Sequence, residues 1–260
     1  MLLRRVISHV RKQEWTAIGI DFLIVVLGVF IGLQVNTWNT NRQDRERGEI
    51  YSERLKSELR FEHEYARAQL AYNRSTLRAG QLAYSGLSGK ANVADEVVLI
   101  NAYRATQYNW FERRRAAFDE IVASGSMALV SDPALLETAM GIYNTPIFDM
   151  MLREGQSARY RELFRMTIDA DLHDRLGRTC GDREYEVDGG VQGLLTLDYE
   201  CDLDASAEEI EAAVAALRAD PEILRTLRLR NAQNSGWISD LELTTATLGL
   251  DALFQEINAP

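Results

Sequence analysis

Residues 15–38, WTAIGIDFLIVVLGVFIGLQVNTW, restrict this chain more than any other segment. Between the two tryptophans stand one acid, Asp21, and no Lys or Arg. An α-helix rises 1.5 Å per residue, so about 20 apolar residues cross the ~30 Å hydrocarbon layer of a bilayer. Ile18 to Val35 with its flanks has that length, and Trp15 and Trp38 sit where interfacial aromatics belong. A water-soluble core helix is seldom apolar around its whole circumference. The expectation is therefore a transmembrane helix over residues 15–38. A cleaved signal peptide competes, because Arg4, Arg5, Arg11 and Lys12 resemble its positive n-region. The length of the apolar run, and the lack of a small-x-small site after it, favour an uncleaved anchor.

The four basic residues before the span outweigh Arg42, Arg45 and Arg47 after it, which alternate with Asp44, Glu46 and Glu49. That bias places residues 1–14 in the cytoplasm and residues 39–260 beyond the membrane, in the periplasm of a bacterium with two membranes. Residues 1–14 pattern as a basic amphipathic segment, with Leu2, Leu3, Val6, Ile7 and Val10 on one side. Such a segment can lie on anionic lipid. Within the span, Gly28 and Gly32 form a G-x-x-x-G, and Asp21 and Val25 share their stripe. Small residues four apart let two helices approach closely, so a homodimer through Asp21, Gly28 and Gly32 is one expectation. The alternative is that Asp21 reaches headgroup water and the glycines are incidental.

Charge divides the rest. Residues 1–40 carry four basic and two acidic groups (+2), residues 41–179 carry 20 of each, and residues 180–260 carry five Arg against 17 acids (−12). The total of −10 argues against nucleic acid as a partner, since phosphate neutralisation needs a basic surface.

Helical periodicity follows the span. Tyr51, Leu55, Leu59, Ala66, Leu70 and Leu77 predict one long helix from Asn39 to Ser85, broken by Ser85-Gly86-Leu87-Ser88-Gly89. A second helix is expected from Asp95 to Ala123. A third begins at Asp132-Pro133, is kinked or split at Pro146, and resumes to Gly177. Near the end, Ser206-Ala207-Glu208-Glu209 is a capping box and Asp220-Pro221 a second aspartate-proline start; a pause is expected at Ser235-Gly236. Tyr185, Val187, Asp188-Gly189-Gly190, Val191, Leu195 and Leu197 read as a β-hairpin within residues 180–201. Cys180 and Cys201 flank its open ends. Their bridge would close a loop of about 21 residues, stabilise by roughly 3 kcal/mol, and require an oxidising compartment. The fold class expected is mainly α: a single N-terminal transmembrane helix continuing into an extracytoplasmic helical bundle with one small β-hairpin.

Chemistry is sparse. His63 lies between Glu62 and Glu64, which point in different directions on a helix. Asp169-Ala170-Asp171-Leu172-His173-Asp174 lacks the spacing of a metal site. No phosphate-binding glycine loop or nucleophile elbow occurs, so neither a cofactor nor catalytic residues are expected. Arg113-Arg114-Arg115 could contact a carboxylate or phosphate, although Glu112, Asp119 and Glu120 offer local pairing.

RKQEWTAIGIDFLIVVLGVFIGLQVNTWN (Arg11 to Asn39) and AAFDEIVASGSMALVSDPALLETAMGIY (Ala116 to Tyr143) resemble a group of uncharacterised bacterial proteins with an N-terminal anchor and a helical extracytoplasmic region. The resemblance covers about the first 145 residues. It implies location and architecture and carries no activity. The reading preferred on these grounds is a scaffold or interaction module that binds lipid, itself or another membrane or periplasmic protein. A ligand-sensing input domain and an envelope hydrolase are the alternatives.

Overall fold

The computed structural model describes residues 15–187 and 191–257. The basic segment 1–14 and the Asp188-Gly189-Gly190 turn lie outside the described residues. The fold is mainly α with one two-stranded antiparallel hairpin. In chain order the helices are α1 (Trp15–Leu87), α2 (Asp95–Arg104), α3 (Ala116–Ala123), α4 (Pro133–Asn144), α5 (Ile147–Gln156), α6 (Arg159–Thr167) and α7 (Ala170–Cys180). Strands β1 (Arg183–Val187) and β2 (Val191–Thr196) follow, then α8 (Ala207–Ala219), α9 (Pro221–Thr247) and α10 (Leu250–Ile257). The described chain divides into two compact units. One holds the chain up to Glu53 with Ile121–Ser131, and the other holds Arg54–Glu120 with the chain from Asp132 onward.

In the first unit, α1 is apolar and exposed from Ile20 to Val35. Past Trp38 its surface becomes charged, with Arg42 and Glu46 paired at 2.9 Å. A short 3₁₀ turn, Ser126–Leu129, lies against α1 at Gly48, where an added Cβ would strike the Leu129 carbonyl. Gly125, at φ +68°, supplies the left-handed step that admits this turn.

The core of the second unit is built from α1, α2, α6, α7, α8 and α9. Leu87, Val98, Leu99, Phe164, Leu176, Val214, Leu217, Ile223 and Leu227 all lie within it. The three capped helix starts signalled by the sequence are present. Asp132 accepts from the backbone N–H of Ala134 and Leu135, and Asp220 from that of Glu222, each with proline in the first turn. Ser206 and Glu209 close the capping box of α8. Asp169, in the acid-rich run, is a cap as well: it accepts from Asp171 and Leu172 N–H and starts α7. The chain separates at Pro146 into α4 and α5.

Three boundaries differ from the periodicity. The helix expected over 95–123 stops at Arg104 and restarts at Ala116. Residues between them are held outside a helical path: Arg161 and Arg230 take the carbonyls of Thr106 and Gln107, and Phe111 packs on Phe61 and Tyr65. Three separate helices, α5, α6 and α7, replace the one run expected from Pro146 to Gly177. In the opposite sense, α9 passes through Ser235-Gly236 unbroken. Gly236 faces open space there, and the stop falls instead at Gly249 (φ +63°).

In the hairpin, Arg183 pairs with Thr196, Glu184 with Leu195 and Tyr185 with Leu194, with an irregularity before Val187↔Val191. Gly193 (φ +81°) fits that irregularity, and a Cβ there would lie 2.8 Å from the Phe111 ring. Cys180 and Cys201 are disulfide-bonded across the base of the hairpin, with Cα atoms 5.4 Å apart. Arg104 braces the same base by donating to the carbonyls of Cys180 (3.1 Å) and Tyr199 (3.0 Å).

Candidate functional site

The apolar stretch of α1 is long and apolar enough to cross a membrane, and none of it is buried within the protein. Phe22, Leu23, Ile24, Val25, Val29, Phe30, Ile31 and Leu33 are each more than half exposed. At about 25 cal/mol per Å² of apolar area, this exposed surface is costly to hold in water. Asp21, Gly28 and Gly32 lie on the same uncovered helix; no atom comes within 4 Å of a Cβ built on either glycine.

Arg113, Arg114 and Arg115 are drawn into internal contacts. Arg113 reaches Glu62, a carboxylate with no exposed surface, through Nε (3.1 Å) and Nη2 (2.7 Å), and also donates to the Ile142 carbonyl. Its guanidinium lies over the rings of Phe148 and Tyr143. Arg114 stacks on Phe61 at 4.1 Å, and Arg115 forks onto Asp119. Two of the three guanidiniums thus meet the protein's own carboxylates, Arg113 on Glu62 and Arg115 on Asp119. Burial pushes the Glu62 carboxyl up, and Arg113 only partly offsets it. One turn earlier, Glu58 accepts from the N–H groups of Ala117 (2.6 Å) and Phe118 (3.2 Å), capping α3 from another helix.

Glu62 opens a polar seam that periodicity did not reveal. Along the buried side of α1 stand Glu62, Gln69, Asn73 and Thr76, with Gly80 beyond them. These positions recur at the three- and four-residue spacing of a core face. Asn234 of α9 donates to Thr76 Oγ1 at 3.0 Å, and Asn231 closes directly on Gly80, where no Cβ would fit. Gln69 Oε1, Asn73 Nδ2 and Asn109 Oδ1 are buried without a partner among the described residues. Tyr72, beside Asn73, donates to Asp182 at 2.6 Å.

Two arginines meet this interior at consecutive carbonyls. Arg161 of α6 donates to Thr106 O at 2.9 Å and lies over the Tyr108 ring. Arg230 of α9, only 4% exposed, donates to Gln107 O at 2.9 Å, and its Nε has no partner. Burial, with Arg161 nearby, draws the Arg230 guanidinium down to about 10, which leaves it cationic at neutral pH. Burial likewise lowers Arg161 and His173, and the charge of Arg165 adds to both.

Elsewhere His63 is buried between Glu64 (3.2 Å) and Asp251 (2.7 Å) and stacks on Phe254, tying α10 to α1. Among the described residues, no group of three His, Cys, Asp or Glu side chains is placed to hold a metal ion. A cavity of about 240 Å³ lies between α1 and the hairpin, lined by Tyr72, Arg74, Arg78, Tyr185, Leu195 and Asp198. Its arginines are paired, Arg74 with Glu242 and Arg78 with Asp198. No protein-family model, no curated protein and no solved structure matches this chain.

Proposed function

We propose that this is a single-pass protein of a bacterial inner membrane, with its N-terminus in the cytoplasm and its body in the periplasm. There it acts by binding, as an interaction module for another membrane or periplasmic protein or for a second copy of itself. The observation that carries the reading is the uncovered apolar length of α1 from Ile18 to Val35 between Trp15 and Trp38. Lipid satisfies such a surface, and a helix meets its own backbone hydrogen bonds there. The Cys180–Cys201 bridge supports the periplasmic side, because oxidising compartments preserve such bonds. The body offers an extensive helical surface whose exposed side chains include Leu229, Leu243 and Met166, which supports binding as its mode of action.

The test is photo-crosslinking in native membranes. A benzophenone side chain is placed at Val29, Leu229 or Leu243, and adducts are identified by mass spectrometry. A reproducible adduct with one protein, or with a second copy of this chain, is expected from at least one position. Only diffuse background at all three positions would remove the proposal.

A further inference from the structure

Buried arginines in folded proteins are paired, because an uncompensated charge away from water is costly. Arg230, 4% exposed, breaks this pattern, and the half-buried Arg161 adjoins it. They converge on adjacent carbonyls, Thr106 and Gln107, so two like charges are brought side by side. No carboxylate among the described residues lies within ion-pairing distance of either one, nor of the exposed Arg165 one turn along α6. Two acids lie near enough for their charge to act on the pair, Asp182 on Arg161 and Glu154 on Arg230, but neither makes an ion pair with them. Asp182 accepts the Tyr72 hydroxyl at 2.6 Å, and Glu154 accepts Trp237 Nε1 at 2.7 Å. Arg230 meanwhile keeps a buried Nε without an acceptor. Tyr103, which borders the cluster, makes no hydrogen bond through its hydroxyl among the described residues. The cluster reaches solvent at the half-buried Arg161 and the exposed Arg165.

We propose that Arg161, Arg165 and Arg230 form a receptor site for a small oxyanion, a solute bearing a carboxylate or phosphate group. Planar guanidinium forks match such groups in pairs of charge-assisted hydrogen bonds. Arg230 supplies the buried charge, Arg161 the wall and Arg165 the rim. The site lies within the second unit and stands independently of the membrane reading.

Isothermal titration of the full chain in nanodiscs tests it, with inorganic phosphate and succinate as separate probes at constant ionic strength and sodium chloride as the control. Saturable binding of at least one probe is expected, and the two arms tell a phosphate from a carboxylate preference. Arg161→Gln and Arg165→Gln should each weaken binding at least tenfold, and the double variant should abolish it. Arg230→Met should lose binding. Absence of binding by both probes would overturn the proposal, as would affinities unchanged in the Arg161→Gln and Arg165→Gln proteins. These two variants decide the matter should Arg230→Met not fold.

Discussion

Arg113→Met removes the charged partner of a carboxylate that has no exposed surface. The guanidinium gives Glu62 Oε2 two hydrogen bonds, of 3.1 and 2.7 Å, while Oε1 has no hydrogen-bond partner among the described residues. Methionine keeps the aliphatic stem and contact with Phe148 but leaves a carboxylate of 0% exposure unpaired. Removing one partner of a buried pair costs about 3–5 kcal/mol. The cost should depend on pH in a definite direction. Burial already raises the Glu62 pKa, and loss of Arg113 raises it further. A carboxyl raised in the folded state contributes its stability below its unfolded pKa of about 4.3, and that contribution is lost as pH rises through the folded value. Urea unfolding of the detergent-solubilised chain, followed through Trp110 and Trp237 fluorescence, should show a deficit at pH 8 that shrinks at pH 5. Arg113→Met with Glu62→Gln should recover about 2 kcal/mol or more of it. A single variant within about 1 kcal/mol of the parent at pH 8, or no recovery in the double, would refute the reasoning.

Replacing both Cys180 and Cys201 by Ala should cost about 3 kcal/mol for a separation of 21 residues, read from urea midpoints, while the parent should gain two alkylation sites only after reduction. The Glu209 carboxyl should titrate at about 2 by carboxyl-carbon NMR. Its hydrogen bonds from Arg175 and then Ser206 hold it there, so its contribution to the α8 cap persists above 4.5 and is lost as pH falls through about 2; a midpoint near 4.5 would contradict this. Gly80→Leu should destabilise by at least about 1–3 kcal/mol, because Asn231 already occupies the space a side chain needs; an unchanged urea midpoint would show that α1 and α9 are not in contact there.

Much of this fold can be read from local sequence, and the reasons are physical. Asp132-Pro133, Asp220-Pro221 and Ser206–Glu209 announce helix starts because their caps act within three residues. The long apolar helix near the N-terminus is legible because composition and length alone define it. The hairpin follows from alternation around its turn, with Cys180 and Cys201 at its base. What escaped local reading depends on contacts distant in sequence. The break after Arg104 exists because Arg161 and Arg230 claim carbonyls that a helix would otherwise use. The seam of Glu62, Gln69, Asn73 and Thr76 does not show in the periodicity, because apolar spacing points instead to Leu70 and Leu77 as the buried side of α1. Those two leucines are only half-buried. Arg230 sits in Arg228-Leu229-Arg230 beside another arginine, and its sequence neighbourhood does not separate it from a solvated charge.

The central claim is that Ile18–Val35 threads a bilayer and leaves the body on its far side. Protease protection in right-side-out membrane vesicles, with an epitope at each end of the chain, measures this directly. Added protease should remove the C-terminal epitope and leave a membrane-embedded fragment that carries the N-terminal one. Protection of both epitopes, or release of an intact body into the soluble fraction before protease is added, would contradict the account.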